Sequence, residues 1–324
     1  MRAIILCILM FMLSAGTCFA EAKYQMITDL GTSAKMIRRG NIEGFSDTSN
    51  AIFENPAGLH RVKFVSSSLF ASTLMDSVNY YNGSIAMKFG FGTIAAGVMT
   101  GGVQGIPITQ KVTYGDDYYI EETGDYFSYQ NYVAKLAYQT SLMDNLHVGL
   151  GVSGYMNIIY AVTGIGYSVD AGVLYDIGNL SLSLAGKNLI PMQVSYSVID
   201  NPLISTDYDL SENSQISENY TGTEYLPLQI VGGARYVVWD FTTMAQVKFD
   251  GTMNLMSAAV EYVPAYLNML RLSIAYKEFS KLTEVGTAIT MGMGLDLFGL
   301  GFDYAYESSE HVEYSSNHYF GEAR

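Results

Sequence analysis

Seven basic residues occupy alternate positions in segments that are otherwise apolar: Lys88, Lys135, Lys187, Arg235, Lys248, Arg271 and Lys277. Leu270, Leu272, Ile274 and Tyr276 fall on one parity, while Arg271, Ser273, Ala275 and Lys277 fall on the other. A period of two sends successive side chains to opposite faces of a strand, so the bases share the polar face. Asp170, Glu261, Asp296 and Asp303 join them there by the same parity. The chemistry open to such a set is charge-assisted hydrogen bonding, either to these carboxylates and a plug or to the anionic head group of a solute. Catalysis is not expected. His60, His147, His311 and His318 stand at no spacing that ties one to a Ser or Thr nucleophile and an orienting group.

Metal and cofactor sites are not expected either. The only cysteines, Cys7 and Cys18, lie in the first twenty residues, so the rest of the chain has no thiolate ligand and no disulfide. Two acidic clusters stand apart from the alternating segments. Asp116, Asp117, Glu121, Glu122 and Asp125 share one with a single Lys, and Asp200, Asp207, Asp209, Glu212, Glu218 and Glu224 form the other. These read as solvated loop surface or as oxygen ligands for a divalent cation, although Asp207-x-Asp209 lacks the rest of a calcium loop. The formal net charge of −14 leaves nucleic acid without an electrostatic footprint to bind.

The elements that must position the bases are strands. Ile289, Met291, Met293, Leu295 and Leu297 alternate with Ala288, Thr290, Gly292, Gly294 and Asp296, and the chain as a whole holds 26 Tyr, 32 Gly and only 6 Pro. Residues 1–20 read as a cleaved secretory signal, with Arg2, an apolar stretch from Ile4 to Leu13, and Cys18-Phe19-Ala20 before Glu21. Behind a signal, alternation without a long apolar run predicts an all-β fold: a transmembrane antiparallel β-barrel of about 14 strands in the outer membrane, lipid outside and a polar lumen within. Membrane lipid is then a partner.

Strand centres are expected in Val65 to Leu74, Tyr81 to Phe89, Thr93 to Thr100, Tyr129 to Gln139, Leu146 to Met156, Gly166 to Tyr175 and Leu180 to Leu189. Seven more are expected in Leu226 to Val237, Phe241 to Phe249, Leu255 to Tyr262, Leu270 to Lys277, Ala288 to Leu297, Leu300 to Tyr306 and His318 to Glu322. Tight links around Gly90, Met143 to Asn145, Ile177 to Asn179, Trp239-Asp240 and Phe298-Gly299 all fall after even-numbered strands, whereas long loops from Gly101 to Gly124 and Pro191 to Glu224 follow odd-numbered ones. That parity puts both long loops on one side, the cell exterior.

Residues 21–62 lack strand periodicity and carry Gly31, Gly40, Gly44, Gly58 and the pair Arg38-Arg39. They read as an N-terminal hatch, or plug, ahead of a barrel over residues 63–324. Arg38 and Arg39 are expected near inward carboxylates such as Glu261 or Asp296. Asn55-Pro56 forces extended backbone before a fixed proline, and Ala57-Gly58-Leu59 permits a tight return.

Gly40 to Asp47 and Asn50 to Leu59, ending in Asn55-Pro56-Ala57-Gly58-Leu59, resemble the hatch of the FadL-like long-chain fatty-acid channels and, more nearly, the PorV/PorQ family of outer-membrane proteins. Leu184-Ala185-Gly186-Lys187-Asn188-Leu189, Leu226-Pro227-Leu228-Gln229-Ile230, Asp303-Tyr304-Ala305-Tyr306 and Asn317-His318 follow in the same order. The resemblance implies a hatched fourteen-stranded barrel serving as a passive conduit for hydrophobic or amphipathic, fatty-acid-like solutes. The alternative it implies is a secretion or surface-attachment component that docks an exported protein. The terminal Phe320-Gly321-Glu322-Ala323-Arg324 departs from the aromatic ending usual in barrels and leaves closure of the last strand open.

Overall fold

The computed structural model describes residues 27–74, 78–114, 117–160, 162–190, 193–198, 222–281, 284–309 and 317–323. The expected signal over residues 1–20 and the acidic run from Asp200 to Glu218 lie outside the described residues.

Strands run over Val65–Leu74 (β1), Val78–Phe89 (β2), Gly92–Tyr114 (β3), Asp117–Met143 (β4), Leu146–Ile159 (β5), Val162–Ile177 (β6), Leu180–Lys187 (β7) and Gln193–Val198 (β8). They continue over Gly222–Tyr225 (β9), Gln229–Val238 (β10), Phe241–Phe249 (β11), Asn254–Tyr262 (β12), Leu270–Lys281 (β13), Glu284–Leu297 (β14), Leu300–Ser309 (β15) and Asn317–Ala323 (β16). Fourteen of these close an antiparallel barrel, in the order β1 to β7 and then β10 to β16, with β16 pairing back onto β1. Closure is thus achieved by the atypical last strand, in the register Phe70↔Gly321 on one edge and Asp303↔Gly321 on the other. No described helix is long and apolar enough to cross a membrane.

Alternation fixes the two faces. Leu69, Val98, Leu136, Leu150, Met256, Ile274 and Met291 point outward and are exposed, while Ser66, Asn82, Lys135, Ser153, Asp170 and Lys277 point inward and are buried. A base on the outer face would cost about 2–4 kcal/mol at the bilayer midplane, which holds every strand in register. Exposed Phe89, Phe91, Trp239, Tyr266 and Phe298 gather at or beside the tight turns, where an interfacial aromatic girdle belongs.

Two expectations need correcting. The segment from Gly101 to Gly124 is not a loop. β3 and β4 continue as a ribbon that outruns its neighbours, since β2 accompanies β3 only to Val103 and β5 accompanies β4 only from Tyr129. Its residues alternate too weakly in hydropathy to register as strands because neither face meets a core.

The seventh and eighth barrel strands are also shorter than expected, ending at Lys187 and beginning at Gln229. Asn188 turns left-handed (φ 55°), and Pro227 has no N–H for the ladder, so the sheet breaks there before resuming as the short β8–β9 pair. The Asn188 amide bridges the break by donating to the Pro227 carbonyl at 2.8 Å, and its backbone N–H donates to Asp170 Oδ1 at 2.9 Å.

Candidate functional site

The hatch, residues 27–62, lies inside the barrel as short turns rather than strands. A single turn of helix, Ala34–Ile37 (α1), is capped by Ser33, whose hydroxyl accepts from the Met36 N–H at 3.1 Å. The cap sets α1 so that Arg38 and Arg39 leave its end toward one wall. Arg38 Nε donates to Asp303 Oδ1 at 2.8 Å, its Nη1 pairs with Glu261, and Arg39 meets Glu261 through Nη2 at 2.8 Å and Nε at 3.0 Å. Asp303 fills the place that sequence reading offered to Asp296, which instead pairs with Arg271.

A second turn, Ala51–Glu54 (α2), leads into a 3-10 turn over Pro56–Arg61. The Asn55 side chain accepts from the Ala57 N–H at 2.9 Å and donates to Ser183 Oγ at 2.9 Å and to the Leu184 carbonyl at 3.2 Å. Pro56 starts the turn, where a missing N–H costs nothing. A Cβ at Gly149 would sit 2.4 Å from the Pro56 carbonyl carbon, so only glycine lets β5 approach this backbone. Asn55 to Leu59 therefore act as a wall anchor as well as a turn, and Leu59 is fully buried.

All but one of the bases read as lumenal have definite partners among the described residues. Lys135 pairs with Asp170, Lys187 with Glu43, Lys277 with Glu307 at 2.7 Å, and Lys248 with Asp29 at 2.6 Å and Glu43 at 3.3 Å. Lys88 donates to the His60 carbonyl at 2.9 Å at the tight-turn mouth. Arg235 has no ion pair among the described residues, and its buried Nε lacks a hydrogen-bond partner. Pairing of this kind satisfies buried charge, and the pairs of Lys187 and Lys248 with Glu43 and Asp29 tie the hatch to the wall.

Within the hatch the environment retunes its acids. Burial, then the neighbouring Glu43, pushes the Glu54 carboxyl up to about 7 against the Gly44 N–H and the nearby Lys187 and Arg39. Desolvation among the hatch residues works against ionisation of Asp47, whose side chain is half exposed, but Lys35, Arg39 and Arg271 outweigh it and hold that carboxyl well below the usual range. Burial followed by Arg61 pushes the His60 imidazole down to about 4.

The lumen is not polar throughout, contrary to expectation. Tyr319, Phe70, Tyr80, Met99, Val133 and Tyr155 on six adjacent strands, β16 and β1 to β5, form a buried inward band against Ile52 and Phe53 of the hatch. Phe70 meets Tyr80 edge-on, ring centroids 5.6 Å apart, and stacks on Tyr319 at 6.3 Å. The same stretch of wall, with β15 beside it, bears an apolar depression of about 880 Å3 whose lining includes the outward Leu69, Tyr81, Val98, Phe302 and Phe320 together with Phe70, Met99 and Val133 of the band.

Sequence reading also missed a cluster at the tight-turn mouth. His60, His147 and Asp176 converge there, although they are far apart in sequence. Asp176 shares the inward parity of Asp170 on β6, the one signal that could have placed it.

No protein-family model matches the chain, and no curated protein matches it. Solved structures do. The CymD monoaromatic hydrocarbon channel aligns with a TM-score of 0.60 at 10% identity, covering 92% of this chain and 97% of that one. The Pseudomonas putida toluene transporter TodX aligns at 0.57 and 11% identity, covering 90% and 96%. A Pseudomonas aeruginosa FadL homologue aligns at 0.54 and 12% identity, also covering 90% and 96%. At these identities the shared property is the fold: this chain has the barrel fold of FadL-like proteins.

Proposed function

We propose that this protein is an outer-membrane conduit through which small hydrophobic or amphipathic solutes pass without energy input, with the hatch occupying the path. The observation that carries the reading is the inward band from Tyr319 to Tyr155. The band packs the hatch, and where the hatch moves aside an apolar solute gains about 25 cal/mol per Å2 of surface it removes from water there, a gain that a hydrophilic solute does not have. The fold shared with a monoaromatic hydrocarbon channel and a toluene transporter supports the same reading. Fatty-acid-like solutes stand at the amphipathic end of this range, and Arg235, without an ion pair among the described residues, is the base placed to meet a carboxylate.

The test is flux in proteoliposomes. Toluene should enter faster than through protein-free vesicles, and Phe70→Asp should slow it while the barrel still shows heat-modifiable mobility on a gel. Toluene flux no greater than that of empty vesicles would remove the reading.

One observation favours docking of an exported protein, the function of a PorV-like component. The β3–β4 ribbon projects past its neighbours and exposes Tyr118, Tyr119, Ile120 and Tyr126 beside Glu121, Glu122 and Asp125. Removing residues 104–128 should abolish capture of such a partner and leave toluene flux intact if this second role is real.

A further inference from the structure

We propose that His60, His147 and Asp176 form a site for one divalent transition-metal ion of the kind imidazole favours, zinc foremost, stapling the end of the hatch to the barrel wall. The inference does not depend on what the barrel carries.

The three side chains come from three elements. His60 belongs to the 3-10 turn that ends the hatch, His147 to β5 and Asp176 to β6. One nitrogen from each ring and one carboxylate oxygen all lie within 4.8 Å of one another. His60 Nε2 is 3.3 Å and His147 Nε2 is 3.7 Å from the same atom, Asp176 Oδ2. The two rings stack with centroids 3.7 Å apart and planes 7° from parallel, so both Nε2 atoms face that oxygen side by side.

The hydrogen bond at the far side of the His60 ring decides what its Nε2 offers, and that of His147 fixes the ring's orientation. His60 Nδ1 lies 3.0 Å from the Ala57 carbonyl, which can only accept, so Nδ1 carries the proton and the Nε2 of neutral His60 presents a bare lone pair. His147 Nδ1 is held by Ser141 Oγ at 2.7 Å. Such partners on the remote nitrogen are what orient metal-bound histidines. A bare Nε2 directed at a carboxylate oxygen is two acceptors face to face, which calls for a cation between them. Two imidazoles and one carboxylate are the donor set of a three-ligand zinc site with an open position.

The other carboxylate oxygen is already engaged. Asp176 Oδ1 accepts from Ser181 Oγ and lies 3.4 Å from Arg61 Nη2, so the guanidinium is on the side of the carboxylate away from the imidazoles. Parallel rings would place a shared ion out of both ring planes, so seating it requires the rings to splay about their χ2 torsions while the Nδ1 bonds hold.

The test uses the full-length barrel in detergent, stripped of metal and titrated with Zn2+ against a chromophoric indicator. One equivalent should bind. His60→Gln and His147→Gln should each lose it, and His318→Gln should retain it. Ser141→Ala, which keeps all three ligands, should weaken binding about 10- to 100-fold, the usual cost of losing an outer-shell partner. Zn2+ should also slow proteolysis of the hatch near residues 56–61 in the unaltered protein, and excess Mg2+ should not compete. Equal zinc binding by His60→Gln and His147→Gln, or the absence of zinc binding and protection in the unaltered barrel, would overturn the proposal. Effective competition by Mg2+ would overturn the assignment to an imidazole-preferring ion.

Discussion

The hatch meets two unlike walls. Toward β7 and β10 to β15 it is held by charge: Arg38 and Arg39 on Glu261 and Asp303, Glu43 on Lys187 and Lys248, and Asp29 on Lys248. Toward β1 to β5 it is held by hydroxyls, amides and apolar packing. Ser49 Oγ and Ser84 Oγ lie 2.8 Å apart, Asn50 Nδ2 donates to Ser68 Oγ at 2.7 Å, Tyr80 Oη donates to the Gly31 carbonyl at 2.9 Å, and Phe53 lies against Gly97. Neutral hydrogen bonds contribute about 0.5–1.5 kcal/mol each, whereas breaking a buried ion pair by removing one partner costs about 3–5 kcal/mol. A hatch so held should release first from the apolar side, where the inward band lies, and pivot on the charged one.

The largest effect should come from Glu261→Ala, which strands the buried Arg39 guanidinium and leaves Arg38 with Asp303 alone. Unfolding experiments should show about 3–5 kcal/mol lost, with the hatch becoming protease-sensitive before the barrel opens. Arg38→Ala should cost less than the alanine variant of their shared carboxylate, because Glu261 keeps Arg39. Equal costs would mean the charged wall is not the pivot.

Acidity should act on the hatch itself. The Glu54 carboxyl rises from an ordinary 4.5 to about 7 in the folded protein, so its contribution to stability is fully present below about 4.5 and is lost as the pH climbs through about 7. Protease sensitivity of the hatch should increase across that window, and Glu54→Gln should flatten the profile. A profile unchanged in Glu54→Gln would assign the titration elsewhere.

Close approach sharpens the comparison further. Gly149→Ala places a methyl against the Pro56 backbone and should cost about 1–3 kcal/mol, the range for overpacking, while raising flux of a hydrophobic solute by displacing the anchor. Ser84→Ala should be the mildest change, about 1 kcal/mol, since it removes only neutral hydrogen bonds on the apolar wall. An effect of Ser84→Ala as large as that of Glu261→Ala would erase the distinction between the walls.

Strand number, face and turn positions were legible in the sequence because a period of two against lipid tolerates few exceptions. β1 over Val65–Leu74 and β11 over Phe241–Phe249 coincide with the expected segments, and the turns at Trp239-Asp240 and Phe298-Gly299 stand where they were read. The presence of a non-strand segment before the barrel was legible for the converse reason, its lack of any period. Alternation reports only which face a residue takes, however, and not which distant residue stands opposite. Nothing local pairs Arg38 with Asp303 rather than Asp296, or brings His60 to His147 and Asp176, because those meetings depend on the barrel's closure and on the path of a hatch with no regular repeat. The apolar band was hidden for a related reason: Phe70, Met99 and Val133 lie on the parity that elsewhere carries serine and lysine. Only the filled lumen shows that an apolar side chain there has a hatch, instead of water, to face.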